Sequence, residues 1–129
     1  MNIDKIVKEC PDAWSEWLEY KYPNFKQVYN GIYKVSIQDS FIWITTTTYQ
    51  RLYVHLRELF DYFDSVGIEI YPFNDFTTGN GCRIYIRFRN GRLNLVRTLT
   101  GKDNRTEAEF EAIPKAFEIR QQQIEQKND

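Results

Sequence analysis

At 129 residues and 15.5 kDa the chain has the length of one domain built on a single hydrophobic core. Its 42% hydrophobic and 27% charged residues exclude a collagen-like chain or one too polar to fold. No apolar run approaches the roughly 18 residues of a membrane span, and Met1-Asn2-Ile3-Asp4-Lys5 does not begin a signal peptide, so a cytoplasmic protein with no membrane partner is expected.

The net charge of −1 conceals blocks: residues 81–105 carry seven cations against one acid, and residues 57–80 carry five acids against one cation. Local potential, not net charge, steers a charged partner. Cys10 and Cys82 lie too far apart in sequence for a metal-ligand pair, and His55 is the single histidine, so no metal and no cofactor are expected. Aromatics are abundant, with nine Tyr, nine Phe and three Trp, and such rings serve a core, an interface or a stacked base equally well.

In chain order, residues 2–9 and 12–20 read as helices interrupted at Pro11, with Trp14, Trp17 and Leu18 on one face. Residues 32–37 and 41–46, β-branched and aromatic, read as strands joined at Gln38-Asp39-Ser40. Thr47 and Gln50 fit a capping box that opens a helix over 48–66, whose stripe is Leu52, Leu56, Leu59, Phe60 and Phe63 and whose C-terminal cap is Gly67.

A strand follows over 68–73, then a polar, mobile loop over 74–81. Residues 82–89 and 92–99 form a hairpin about Asn90-Gly91, the signature of a two-residue type I′ turn. That turn sets Phe88 opposite Leu93, Ile86 opposite Leu95, Ile84 opposite Arg97 and Cys82 opposite Leu99 on the core face. Thr106 and Glu109 fit a second capping box, opening a helix over 106–126 with Phe110, Ile113, Phe117 and Ile124 buried, a kink or restart at Pro114, and fraying from Gln121 to Asp129.

The expected fold class is therefore α+β in a single domain: a small antiparallel sheet with helices 48–66 and 106–126 on one face, and residues 1–46 as an N-terminal lobe. The same register places Arg83, Tyr85, Arg87 and Arg89 on the outer face beside Thr98, Val96, Asn94 and Arg92, with Glu69, Tyr71 and Phe73 extending the patch. Arginine interleaved with aromatics suits phosphates and stacked bases, and suits acidic protein surfaces as well. The plain structural reading is a solvated strand face, with Arg89 and Arg92 keeping hairpin tips from pairing with other chains.

Glu58, Asp61 and Asp64, with Glu69 and Asp75 beyond, form the acidic counterpart and read as a solvated helix side. No Ser-His-Asp signature, P-loop or dinucleotide fingerprint occurs, so no catalytic residue is assigned and a non-enzymatic protein is expected.

The order helix, strand, strand, strand, helix over 47–126 resembles double-stranded-RNA-binding domains. The positions where that family carries a Gly-Pro-x-His loop and a lysine cluster read Asn74 to Gly81 and Arg105-Thr106-Glu107-Ala108-Glu109, so the resemblance implies architecture alone. The segments Leu59 to Ile68, and Arg105 to Glu109 with Lys115 to Ile119, resemble small proteins of bacteriophages and mobile elements of gut bacteria. This second resemblance implies a bacterial host cytoplasm and no particular activity.

The function expected is binding of a host or phage macromolecule through Tyr71, Arg83, Tyr85, Arg87, Arg89 and Arg92. The alternatives are direct nucleic-acid binding by that face and a homo-oligomer sheltering a small ligand.

Overall fold

The chain folds as α+β. A computed structural model describes residues 3–22, 26–29, 32–37, 40–45 and 56–127. They divide into two compact units, one of residues 55–120 and one of residues 2–54 with 121–129.

In the second unit Pro11 separates α1 (Ile3–Glu9) from α2 (Pro11–Lys21), taking the first helical position, where a missing N–H costs nothing. Helix α2 buries Trp14, Trp17 and Leu18, as their spacing predicts, and the two indoles tilt at 37° with centroids 4.8 Å apart. Cys10 precedes α2 without capping it, and Gln121 does that work. Its Oε1 accepts from the backbone N–H groups of Asp12 and Ala13, each at 3.0 Å, and its Nε2 donates to Asp12 and to Glu125. Two orphan donors of the first turn are thereby satisfied. The expected fraying from Gln121 is thus corrected: Gln121 is buried, and the final helix continues to Lys127.

Strands β1 (Lys26–Tyr29), β2 (Ile32–Ile37) and β3 (Ser40–Thr45) form an antiparallel sheet in that order. β2 and β3 are the predicted pair; β1 was missed because four residues just after Pro23-Asn24 carry too little alternation to read. Gln38, Asp39, the Thr47–Gln50 box, Leu52 and His55 lie outside the described residues.

The other unit runs α3 (Leu56–Ser65), β4 (Ile68–Asp75), β5 (Gly79–Arg87), β6 (Leu93–Lys102) and, as far as Arg120, α4 (Arg105–Lys127), with sheet order β4-β5-β6. Gly67 caps α3 at φ 82°, and its N–H donates to Asp64. The helices pack on one sheet face. There Leu59, Tyr62 and Phe63 of α3, Ile68, Cys82, Ile84 and Leu99 of the sheet, and Ala112, Ile113 and Phe117 of α4 are buried. Burial pushes the Cys82 thiol up to about 11, with Glu109 adding to the shift and Arg105 opposing it, so this thiol is a core group with little thiolate character.

Four expectations are corrected here. The loop over 74–81 is a tight hairpin: β4 and β5 pair as far as Asp75 with Gly79, and Asp75 Oδ1 accepts from the Thr77 N–H at 2.8 Å. Helix α4 is capped by Asn104, whose Oδ1 accepts from Glu107 N at 2.9 Å, so Thr106 is already helical. Phe110 is exposed, because the buried arc of α4 is drawn by Ala108, Ala112 and Ala116 together with Ile113 and Phe117. Finally, one helix carries through Pro114, so of the expected kink or restart the restart is excluded. Pro114 has no N–H to donate to the carbonyl of Phe110, four residues earlier in the helix.

Candidate binding face

The outer face of β4-β5-β6 is set by how the second hairpin closes. Phe88 N donates to Arg92 O and Gly91 N to Phe88 O, both at 2.9 Å, so the loop is the three residues Arg89, Asn90 and Gly91, with Gly91 at φ 85°. The expected two-residue turn, and the register drawn from it near the loop, are corrected. Arg87 pairs with Leu93, Ile86 with Asn94 and Tyr85 with Leu95.

A one-residue slip sends alternate side chains to the opposite face. Leu93 and Leu95 therefore leave the core face and join Arg87 and Tyr85 outside. A bulge between the Tyr85–Leu95 and Ile84–Arg97 pairs absorbs the extra residue, Val96. Beyond it the expected pairs Ile84–Arg97 and Cys82–Leu99 hold.

The predicted site residues are brought onto or beside this face, in different states. Tyr71 and Tyr85 meet edge to face at 5.5 Å and 81°. Arg83 lies 4.2 Å above the Phe73 ring, a cation on a π face, and Phe73 in turn covers Gly81. Arg87 donates to Asp64 Oδ1 at 3.1 Å, to the Asp64 carbonyl at 2.8 Å and to Glu69 Oε2 at 3.2 Å. The bond to Asp64, and after it the one to Glu69, holds the Arg87 proton above the usual arginine range. Arg87 is thus occupied by carboxylates. Arg89 and Arg92 are exposed at the hairpin tip, where Arg92 N donates to Asn90 Oδ1.

The acidic candidates separate. Asp64 and Glu69 converge on Arg87, and with Arg57, Asp61 and Tyr71 they line a hollow of about 240 Å³ beside the sheet edge. Asp75 serves its own turn. Among the described residues no group of three or more potential ligands gathers as a metal site.

What the sequence reading missed is apolar. Leu93, Leu95 and Val96 are 43%, 49% and 42% exposed, Tyr71 is 46% exposed, and Phe88 at the foot of the loop is 51% exposed. The two-residue turn read from the sequence assigns Phe88, Leu93 and Leu95 to the core face, whereas Val96 and Tyr71 are expected outside.

Tyr71 donates its hydroxyl to Glu69. That bond first, then desolvation and the nearby Glu69 charge, raises the phenol above its ordinary value of 10.0. A raised value marks a favoured protonated phenol, so the contribution to stability is whole at neutral pH and is lost as pH climbs through the raised value. In a spectroscopic titration, Glu69→Ala should bring the Tyr71 transition down toward 10.0. An unmoved transition would show that Glu69 is not its acceptor.

Comparison with known proteins finds no family model, curated protein or solved structure that matches the chain. No helix among the described residues is long and apolar enough to cross a membrane.

Proposed function

We propose that the chain is a non-enzymatic, phage-type accessory protein that binds a host or phage protein through the outer face of β4-β5-β6. The observation that carries this reading is that Leu93 and Leu95 stand exposed on the same sheet face as Tyr71, Tyr85 and Arg83, with the exposed Arg89 at the hairpin tip. Contiguous apolar and aromatic surface with arginine at its margin is the composition of a protein interface centre. It is a poorer match to a phosphate track, because Arg87 is held by two carboxylates and Arg83 lies on a ring. The phage-type setting rests on the resemblance of Leu59 to Ile68 and of Arg105 to Ile119.

A photoreactive phenylalanine analogue at Leu95, compared with one at the fully exposed Phe76, tests this reading in a bacterial host cell. The Leu95 position is expected to give a discrete, nuclease-resistant protein adduct that the Phe76 position does not give. Matching adducts from both positions would overturn the reading. So would salt-sensitive binding of single-stranded or duplex probes that disappears in an Arg83→Ala/Arg92→Ala variant, and that result would install nucleic acid as the partner.

A further inference from the structure

Strands β4 and β6 are the two edges of the sheet, and they are unlike. β4 carries Pro72, which has no N–H, and the acids Glu69 and Asp75. Within β6 all but Leu99 and Lys102 are exposed, and no acid occurs anywhere from Phe76 to Lys102.

The hydrogen bonds around the second hairpin say which backbone groups of β6 are unclaimed. Phe88 N donates to Arg92 O, so that pair is of the bonded kind. Arg87 N donates the other way, to Gly67 O at 2.8 Å. Bonded and non-bonded pairs alternate along an antiparallel ladder. The N–H and C=O groups of Leu93 and Leu95, opposite Arg87 and Tyr85, therefore point away from β5 along the open edge. The same two residues expose their side chains on the outer face.

We infer that β6 accepts an acidic, extended segment of a partner protein as a fourth strand, paired along Arg92 to Leu95. The inference rests on the protein-binding reading above and gives it a mode. Main-chain bonds to Leu93 and Leu95 supply the ladder, and alternate side chains supply specificity.

The chemistry of the occupant follows from the pleat. One side of the added strand lies beside Leu93 and Leu95 and takes apolar residues. The other lies beside Arg92, Asn94 and, past the bulge, Arg97, and takes carboxylates. Among the described residues neither Arg92 nor Arg97 makes an ion pair. The bulge at Val96 ends the regular ladder, which confines pairing to the hairpin end. A second copy of this chain fits poorly, because β6 laid on β6 would set the Arg92 and Arg97 rows of both copies on one face. A nucleic acid has no alternating N–H and C=O groups with which to complete the ladder.

The test uses a fluorescein-labelled peptide of alternating glutamate and valine, its lysine and valine counterpart, and two forms of the acidic peptide N-methylated at every second amide, one in each frame. The acidic peptide is expected to bind at low salt at least about tenfold more tightly than the lysine peptide. N-methylation in one frame should weaken it about tenfold while the other frame is tolerated, because only alternate amides face β6. At saturation the amide protons of Leu93 and Leu95 should gain protection from exchange, a readout that needs no variant to fold.

Equal tolerance of both methylated frames, protection elsewhere, or no binding of the acidic peptide would overturn strand addition. If the adduct at Leu95 persists in those cases, the protein-binding reading survives and only its mode is wrong. If the adduct is lost as well, both fall.

Discussion

Gly81→Ala is expected to destabilise the sheet unit by about 3 kcal/mol or more, a large share of the 5–15 kcal/mol that holds a typical domain. A Cβ at this position would meet the Leu99 carbonyl oxygen at 2.0 Å and the Phe73 ring at 2.7 Å. The first of these neighbours is backbone, so no rotamer change relieves it. Gly81 lies where the β5-β6 register shifts between the Asn80–Lys102 and Cys82–Leu99 pairs, and there the two main chains approach closely. The double variant Phe73→Ala/Gly81→Ala removes the ring and leaves the carbonyl, and it should not recover stability. Urea unfolding followed by far-ultraviolet circular dichroism reads both variants. A Gly81→Ala midpoint near that of the parent would mean that β6 can retreat at no cost.

The β5-β6 hairpin shows where sequence reasoning reached and where it stopped. Asn90-Gly91 marks the turn correctly, since Gly91 does take positive φ. It does not distinguish a two-residue loop from a three-residue one, because both place glycine at a left-handed position. The choice moves Leu93 and Leu95 from one face to the other. The bulge at Val96 then restores the expected pairing at Cys82, so the periodicity of the distant half gives no warning of the slip. Helix α4 poses a similar problem. Its large apolar residues suggested a stripe that includes Phe110, while the face that packs closely is drawn by three alanines, which carry almost no hydropathy signal.

The arginines and aromatics of the candidate face were visible as a strand alternation, and their neighbours were not. Arg87 reaches Asp64 and Glu69 across 23 and 18 residues of chain. Only the β4-β5 pairing and the end of α3 bring those carboxylates to it. The face consequently reads less as a row of open cations than its sequence implies. The same limit applied to Gln121, a polar residue in a stretch read as fraying, whose amide is claimed by α2 more than a hundred residues earlier.

Phe117→Ala should cost about 4 kcal/mol, the magnitude of emptying a packed phenylalanine site. Phe117 is fully buried. Its ring meets Phe63 edge-on at 4.9 Å and 75°, and lies 6.2 Å from Tyr62 at 29°. It joins α4 to α3 across the covered side of the sheet, and both partners are themselves buried, so little can collapse into the vacated volume. Phe110 supplies the control on the same helix. It is 41% exposed, and Phe110→Ala should shift stability by less than about 1 kcal/mol. Unfolding by urea at equal protein concentration compares the two directly. Equal losses would mean that the aromatic stripe imagined from spacing, and not the alanine-lined arc, is what holds α4 to the unit. A large loss at Phe117 alone would place the core where Ala112, Ile113 and Phe117 meet α3, and would leave the opposite sheet face for a partner.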